Sequence, residues 1–250
     1  MTRTTHRIFL SAMAASFALV ISACGASGGS SDGGKDTTTT TTKAPAESTT
    51  TTTADDAEAA QDRADSVDVE LSDFPEGWDS APADDPDAES PLNDCDPALG
   101  DRSTQLARHA TDDFSIGSFE RGDGVQFTAR TVVFEDEAAA EAAVAPFSDS
   151  KVLSCIDDAL KSAYTSAGEG ITVEGSLEQG DADFGADETV ALSATYTVSA
   201  EDGSSMDVNL GVLVMRTGDV ATNIVVQTVD PDFDPSVLPV EKLADQLNAA

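Results

Sequence analysis

The side chains whose chemistry this 250-residue sequence can assign are three cysteines, Cys24, Cys95 and Cys155. A thiol can carry a lipid, form a disulfide, bind a metal or act as a nucleophile, and the surrounding residues indicate which role applies. No two of the three have Cys-x-x-Cys spacing, which argues against a thioredoxin-like redox centre.

Cys24 closes an apolar stretch with the pattern of a secretory signal. Arg3 and Arg7 form a basic head, and the apolar run that follows is as long as a signal h-region and short for a membrane span. Residues 21–24, Ile-Ser-Ala-Cys, resemble a bacterial lipobox, whose small residues admit the signal peptidase and whose thiol receives a diacylglyceryl group. We therefore expect cleavage before Cys24 and its lipidation with palmitate-type chains. An uncleaved anchor helix with an incidental cysteine is the alternative.

Cys95 and Cys155 are then left as a pair. In an oxidising compartment outside the cytoplasm we expect them to form a disulfide. The bridge would close a loop of about 60 residues and stabilise the fold by roughly 4 kcal/mol in the loop-entropy description. Two free buried thiols are the alternative.

Other catalytic side chains are scarce. After cleavage the chain has one histidine, His109, so a zinc site or a Cys/His dyad lacks a second member. We interpret His109 as a surface or packing residue. With 47 acidic residues, a nearby pair of carboxylates does not by itself indicate glycosidase chemistry. The sequence predicts a protein that is not an enzyme and has no cofactor.

Two acidic turns could offer oxygen ligands to calcium. The first carries Asp181, Asp183, Asp187 and Glu188, and the second carries Asp230, Asp232 and Asp234. Neither has the ligand spacing of an EF-hand loop. We interpret both as turns without a metal, and calcium binding is the alternative.

Charge restricts the partners. The formal net charge is −34, and it becomes −36 when cleavage removes Arg3 and Arg7. This balance excludes nucleic acid, because phosphates are bound by Lys and Arg. It also argues against attraction to an anionic leaflet, so the acyl chains would supply the membrane affinity. We interpret the acidic surface as solubilising, and a cationic partner is the alternative.

Composition divides the chain into three parts: a signal peptide at 1–23, a tether at 24–65 and a folded domain at 66–250. The tether is rich in Gly, Ser and Thr and has no apolar periodicity, which predicts disorder. Its acidic end, from Asp55 to Asp65, either continues the tether or forms a fraying helix. In the domain, Trp78 is interpreted as pinning the first segment to the core, and stacking on a ligand is the alternative.

Hydrophobic periodicity predicts an α+β domain. Period-two alternation indicates strands at 67–71, 125–133, 190–198, 206–214 and 220–229, and the last three form an antiparallel meander. Helices are expected from Asp136 to Ala145, from an N-cap at Ser150, and from about Ser236. We expect the amphipathic helices to cover one face of an antiparallel sheet, which gives two layers.

A family resemblance rests on the order of these features. They are the lipobox, the tether, Leu71-x-x-Phe74-Pro75-x-Gly77-Trp78, the strand end 131–134 before an Ala-rich helix, the helical Cys155, and the strand-turn-strand at 216–220. The chain resembles actinobacterial cell-envelope lipoproteins and, more loosely, the extracellular sensor domain of PknH-type kinases. The resemblance implies a sensor-like domain on the outer face of the cytoplasmic membrane. Those sensor domains resemble proteins with two disulfides, whereas this chain has only one cysteine pair available. We therefore assign no ligand-binding residue to this chain from the resemblance.

Two functions remain open. The first is a lipid-anchored binding or sensing module with a cleft for a small envelope ligand. The second is a structural or interaction lipoprotein that meets another envelope protein and has no pocket. An apolar cavity among Phe127, Tyr164, Tyr196 and Val208 would favour the first, and a filled core would favour the second.

Overall fold

The computed structural model describes residues 54–83 and 91–250. The expected signal peptide, the expected lipidation site Cys24 and the expected tether up to residue 53 lie outside the described residues. Within the described part of the chain, no helix combines the length and the apolar character needed to cross a membrane.

Nine antiparallel strands of the described residues form one sheet, and seven of them follow the order β1-β3-β4-β9-β8-β7-β5. Two short strands extend it: β2 pairs with β4 on the same edge as β3, and β6 pairs with β7 on the same edge as β5. The strands are β1 (Asp79–Ala81), β2 (Gln105–Ala110), β3 (Asp113–Ile116), β4 (Val125–Phe134), β5 (Thr172–Glu174), β6 (Leu177–Gly180), β7 (Glu188–Ser199), β8 (Ser205–Thr217) and β9 (Val220–Thr228).

The predicted meander is confirmed in β7, β8 and β9. Gly203 (φ +82°) and Gly218 (φ +57°) occupy the left-handed region in the two connecting turns, which only glycine adopts without strain. The alternation at 67–71 does not produce a strand. Instead, Val67 and Val69 bury their side chains against the sheet, and Leu71–Asp73 form a 3-10 turn.

In the part of the chain that the structure describes, four α-helices pack on the sheet: α1 (Ala54–Asp65), α2 (Glu137–Val144), α3 (Ser150–Ser166) and α4 (Val240–Ala249). The Asp149 carboxylate, rather than the expected Ser150, caps α3 by accepting the Lys151 N–H at 2.7 Å. The closing helix begins at Val240, later than about Ser236, because Pro239 precedes it and prolines interrupt the segment before it.

The first face of the sheet carries α2 and α3, as expected. Ile156 and Leu160 of α3 and Val144 of α2 are buried in one cluster with Tyr196 and Val208 of the sheet. The α+β class with an antiparallel sheet and packed helices is therefore confirmed.

The second face is also covered, which changes the expected two layers into three. Leu243 and Leu247 of α4, and Ala64 of α1, are buried in a second cluster with Phe127 and Ile224 of the sheet. Strands β4 and β9 carry apolar residues on both of their faces, as strands do when both faces are buried.

Helix α1 moves the start of the folded domain from the expected Ser66 to at least Ala54. Ala60 and Ala64 are buried, and the Arg63 guanidinium donates to both carboxylate oxygens of Asp219 in the β8–β9 turn. The pKa of Asp219 is lowered, chiefly by the Arg63 hydrogen bond. Its folded-state contribution to stability is thus present above the unfolded-state pKa and is lost as the pH falls through the folded-state pKa.

The entry of the chain onto the sheet is fixed by aromatic packing and by His109. Trp78 is buried with its ring centroid 4.7 Å from that of Phe74, which agrees with a structural role. The two ring nitrogens of His109 lie 3.1 Å and 3.0 Å from carboxylate oxygens of Asp65 and Asp68. His109 therefore joins α1 and the segment after it to β2, which agrees with a packing role.

Candidate binding groove

The expected disulfide is present. Cys95 and Cys155 are bonded with their Cα atoms 5.5 Å apart. The bridge joins the residue that follows the 3-10 turn Pro91–Asp94 to the middle of α3, so it ties an irregular segment to a packed helix.

The four side chains expected to line an apolar cavity, if there were one, belong to two different cores. Tyr164, Tyr196 and Val208 are buried on the first face of the sheet, and Phe127 is buried on the second. Because the sheet lies between them, they do not line one cavity together.

A groove of about 1140 Å³ lies elsewhere, on the second face of the sheet. Its floor is formed by Gly211 and Leu213 of β8 and by Ile224 and Val226 of β9. Apolar walls are contributed by the chain on either side of the floor, namely by Phe184, Ala191, Phe233, Val237, Leu238 and Val240. The floor and these walls together offer a largely apolar surface.

Proline and small residues explain why this part of the face stays open. The segment between β9 and α4 contains Pro231, Pro235 and Pro239. Proline lacks the backbone N–H that a helix would use for its hydrogen bonds. The segment therefore forms a wall beside the floor instead of an α-helix that would cover it, and helix α4 begins only after Pro239. On the floor, a Cβ atom placed on Gly211 would meet only Val226 Cβ, at 4.0 Å.

Half-buried apolar side chains mark the groove as an incompletely covered surface. Leu213 and Val226 are only partly buried, although both pack against the second core. On the wall, Val237 is 39% exposed, one of two large apolar side chains of the described chain with such exposure. Exposed apolar patches of this kind are characteristic of binding surfaces.

The rim of the groove is charged. The Lys242 ammonium donates to Asp73 Oδ2 at 2.6 Å. The pKa of Asp73 lies below its ordinary value, first because the carboxylate accepts the Glu70 N–H and second because of the bond from Lys242. Asp230 and Glu241 also line the groove.

At one side of the groove, where Asn209 lines it, the same face becomes polar. Thr195 donates to Asn209 Oδ1 at 2.7 Å, and Thr197 donates to Asp207 Oδ1 at 2.7 Å. The Thr195 and Thr197 hydroxyls alternate with the buried side chains of β7, as the sequence pattern predicted. The groove thus lies between a packed apolar core and an exposed row of polar side chains.

A buried polar network on the first face has a different role. Asp157 of α3 accepts hydrogen bonds from Tyr196 Oη at 2.7 Å, Lys161 Nζ at 2.7 Å and the Leu177 N–H at 3.0 Å. Burial raises the pKa of Asp157, but the three donors outweigh it and the pKa is lowered. The network fixes α3 to β6 and β7.

The acidic turns form backbone contacts. Asp183 accepts the Gly185 N–H, Asp187 accepts the Gly218 N–H, and Asp230 accepts the Asp232 N–H, each at 2.9 Å. The bonds of Asp183 and Asp230 reach an N–H two residues on, as aspartate does in stabilising its own turn. The bond of Asp187 instead ties its segment to the β8–β9 turn. Within residues 54–83 and 91–250, no group of three His, Cys, Asp or Glu side chains is placed to hold a metal ion.

Known proteins resemble this chain in fold and not in sequence. The sequence matches no protein-family model and no curated protein. The fold is similar to the crystal structure of the extracellular domain of PknH from Mycobacterium tuberculosis, with a TM-score of 0.45 and 10% sequence identity over 76% of this chain and 95% of that one. The loose similarity expected from the sequence is thus found in the structures. At this level it leaves the function to be argued from the residues of this chain.

Proposed function

We propose that this chain is a non-catalytic binding or sensor-like lipoprotein whose domain holds a small envelope ligand with an apolar body. The groove on the second face carries the proposal. Its volume of about 1140 Å³ is just above the range of about 300–1,000 Å³ in which small-molecule sites fall, and its floor is apolar.

The disulfide supports a location outside the cytoplasm. Disulfides persist in oxidising compartments and are rare where thiols are kept reduced. Together with the lipobox pattern at 21–24, the Cys95–Cys155 bridge favours a domain anchored to the outer face of the cytoplasmic membrane through lipidated Cys24. In this proposal the lipid anchor attaches the protein to the membrane, and the groove binds the ligand.

A large side chain on the floor of the groove should weaken ligand binding. The mature chain carrying Cys24→Ser, so that no acyl group competes, is titrated with an environment-sensitive apolar dye. Gly211→Leu projects a side chain from the floor into open space, because a Cβ there meets only Val226. We expect this variant to bind the dye at least about tenfold more weakly than the parent. The new leucine side chain would cover apolar floor surface that the dye otherwise buries.

Ser205→Leu is the matched control. Ser205 lies on the same strand and the same face as Gly211 but six residues away, roughly 20 Å along the strand, and it is exposed. It should bind the dye like the parent. If the parent binds no dye, or if Gly211→Leu binds equally well while melting at the same temperature, the groove is not a binding site.

The anchor is tested separately. Cys24→Ser should prevent incorporation of a labelled fatty acid into the protein, because the hydroxyl does not replace the thiol that receives the lipid. Cells fed the labelled acid and expressing either protein are compared after immunoprecipitation, with Ser22→Thr as the control that keeps Cys24. Equal label on Cys24→Ser and the parent would disprove the lipobox interpretation.

A further inference from the structure

The charges around the groove indicate which class of apolar ligand it takes. Four charged side chains of the described chain line it: Asp73, Asp230, Glu241 and Lys242. Lys242 is the one cation among them, and it is held by Asp73 at 2.6 Å. Asp230 and Glu241, which we call the acidic rim, form no ion pair with any described residue.

We propose that the groove selects a cationic amphiphile, whose apolar chain lies on Leu213, Ile224 and Val226 and whose ammonium-like end lies at the acidic rim. This inference rests on the proposed binding function of the groove. An anionic head group would have to displace Asp73 from Lys242 and would face both rim carboxylates. A cationic one meets two carboxylates that have no positive partner.

Two aromatic walls fit the same ligand. Phe184 and Phe233 both line the groove and are partly buried against the second core. The face of an aromatic ring attracts an ammonium group within about 6 Å of its centre, most strongly where water is excluded. A cation near these rings would thus gain from the ring faces as well as from the carboxylates.

The whole chain adds to this preference. A formal charge of −34 produces a negative potential around the domain, and such a field raises the local concentration of cations and the rate at which they arrive. This long-range term is screened by salt over about 8 Å at physiological ionic strength. A preference produced by the rim itself should therefore persist at physiological salt.

Three amphiphiles with the same dodecyl chain separate the alternatives. The mature chain carrying Cys24→Ser is titrated by calorimetry, below the micellar concentration and at physiological salt, with dodecylammonium, nonionic dodecyl maltoside and dodecanoate. We expect dodecylammonium to bind at least about tenfold more tightly than the other two. In Asp230→Asn/Glu241→Gln, dodecylammonium should bind no more tightly than the maltoside, because the amides keep the shape of the rim and remove its charge.

Asp245→Asn is the control for general electrostatics. It removes an exposed carboxylate from α4 outside the groove and should leave the preference unchanged. The inference is overturned if dodecyl maltoside or dodecanoate binds as tightly as dodecylammonium, or if the preference survives in Asp230→Asn/Glu241→Gln. If none of the three binds, or if Gly211→Leu binds dodecylammonium as the parent does, the proposed binding function itself fails.

Discussion

Reducing the Cys95–Cys155 disulfide should lower the free energy of unfolding by about 2–4 kcal/mol, the usual contribution of a native bridge. The bridge spans 60 residues of sequence, so its loss frees a long loop in the unfolded chain. The segment around Cys95 is also held by apolar packing, because Leu92 (5% exposed) and Leu99 (2% exposed) are buried in the first core. We therefore expect the reduced domain to remain folded with a weakened segment rather than to unfold completely.

Urea denaturation with and without reductant measures this change, and hydrogen exchange locates it. Faster exchange should be confined to the segment Pro91–Gly100 and the neighbouring turns of α3, while β7, β8 and β9 stay protected. Peptide mapping without reductant should find Cys95 and Cys155 in one linked fragment. Two alkylatable thiols in the folded, non-reduced protein would show that the bridge does not form.

Deleting α1, residues 54–65, should lower the free energy of unfolding by roughly 2–4 kcal/mol. The deletion exposes the surface now covered by Ala60 and Ala64 and removes the two hydrogen bonds from Arg63 to Asp219. It also removes the Asp65 contact to His109. The same denaturation experiment measures the effect.

Deleting residues 37–53 instead is the matched control. These Thr-rich residues are expected to bury nothing, so the thermal midpoint should not change. A fall of several degrees on deletion of 37–53 would show that the tether packs on the domain. An unchanged midpoint on deletion of 54–65 would show that α1 contributes nothing to stability.

Strands and their buried faces could be predicted best from the sequence where only one face of the strand is buried. Strand β7 alternates between buried apolar residues and exposed Ser or Thr, so both its type and its orientation could be predicted. In β4 and β9, by contrast, apolar residues point to both faces, and the period of two no longer tells which side is covered. This is why the second layer of helices was not predicted.

Helix α1 was expected only as a fraying helix, one of two alternatives, because its apolar stripe consists of alanines. Ala60 and Ala64 lie one turn apart and are buried, but among so many acidic and small residues they resemble a solvated tether. The helix is also held by Arg63, whose partner Asp219 lies 156 residues away and is revealed by no local pattern.

The groove could not be located from the sequence, because the residues of its floor have the same alternating pattern as any half-buried strand. Leu213 and Val226 fit the alternation of β8 and β9, and only the fold shows that nothing packs fully on them. The available signals were Gly211 within a strand, which suggests a close approach or open space, and the recurrence of proline at 231, 235 and 239. The disulfide, in contrast, followed from counting the cysteines.

The most direct test of the binding function is native mass spectrometry of the protein purified without detergent from its own cell envelope, released by proteolysis within the tether. The proposal predicts a bound small molecule on the domain with parent sequence and on Ser205→Leu, and its absence from Gly211→Leu prepared in the same way. A domain that carries no bound mass, or a Gly211→Leu domain that carries the same mass as the parent, would contradict it.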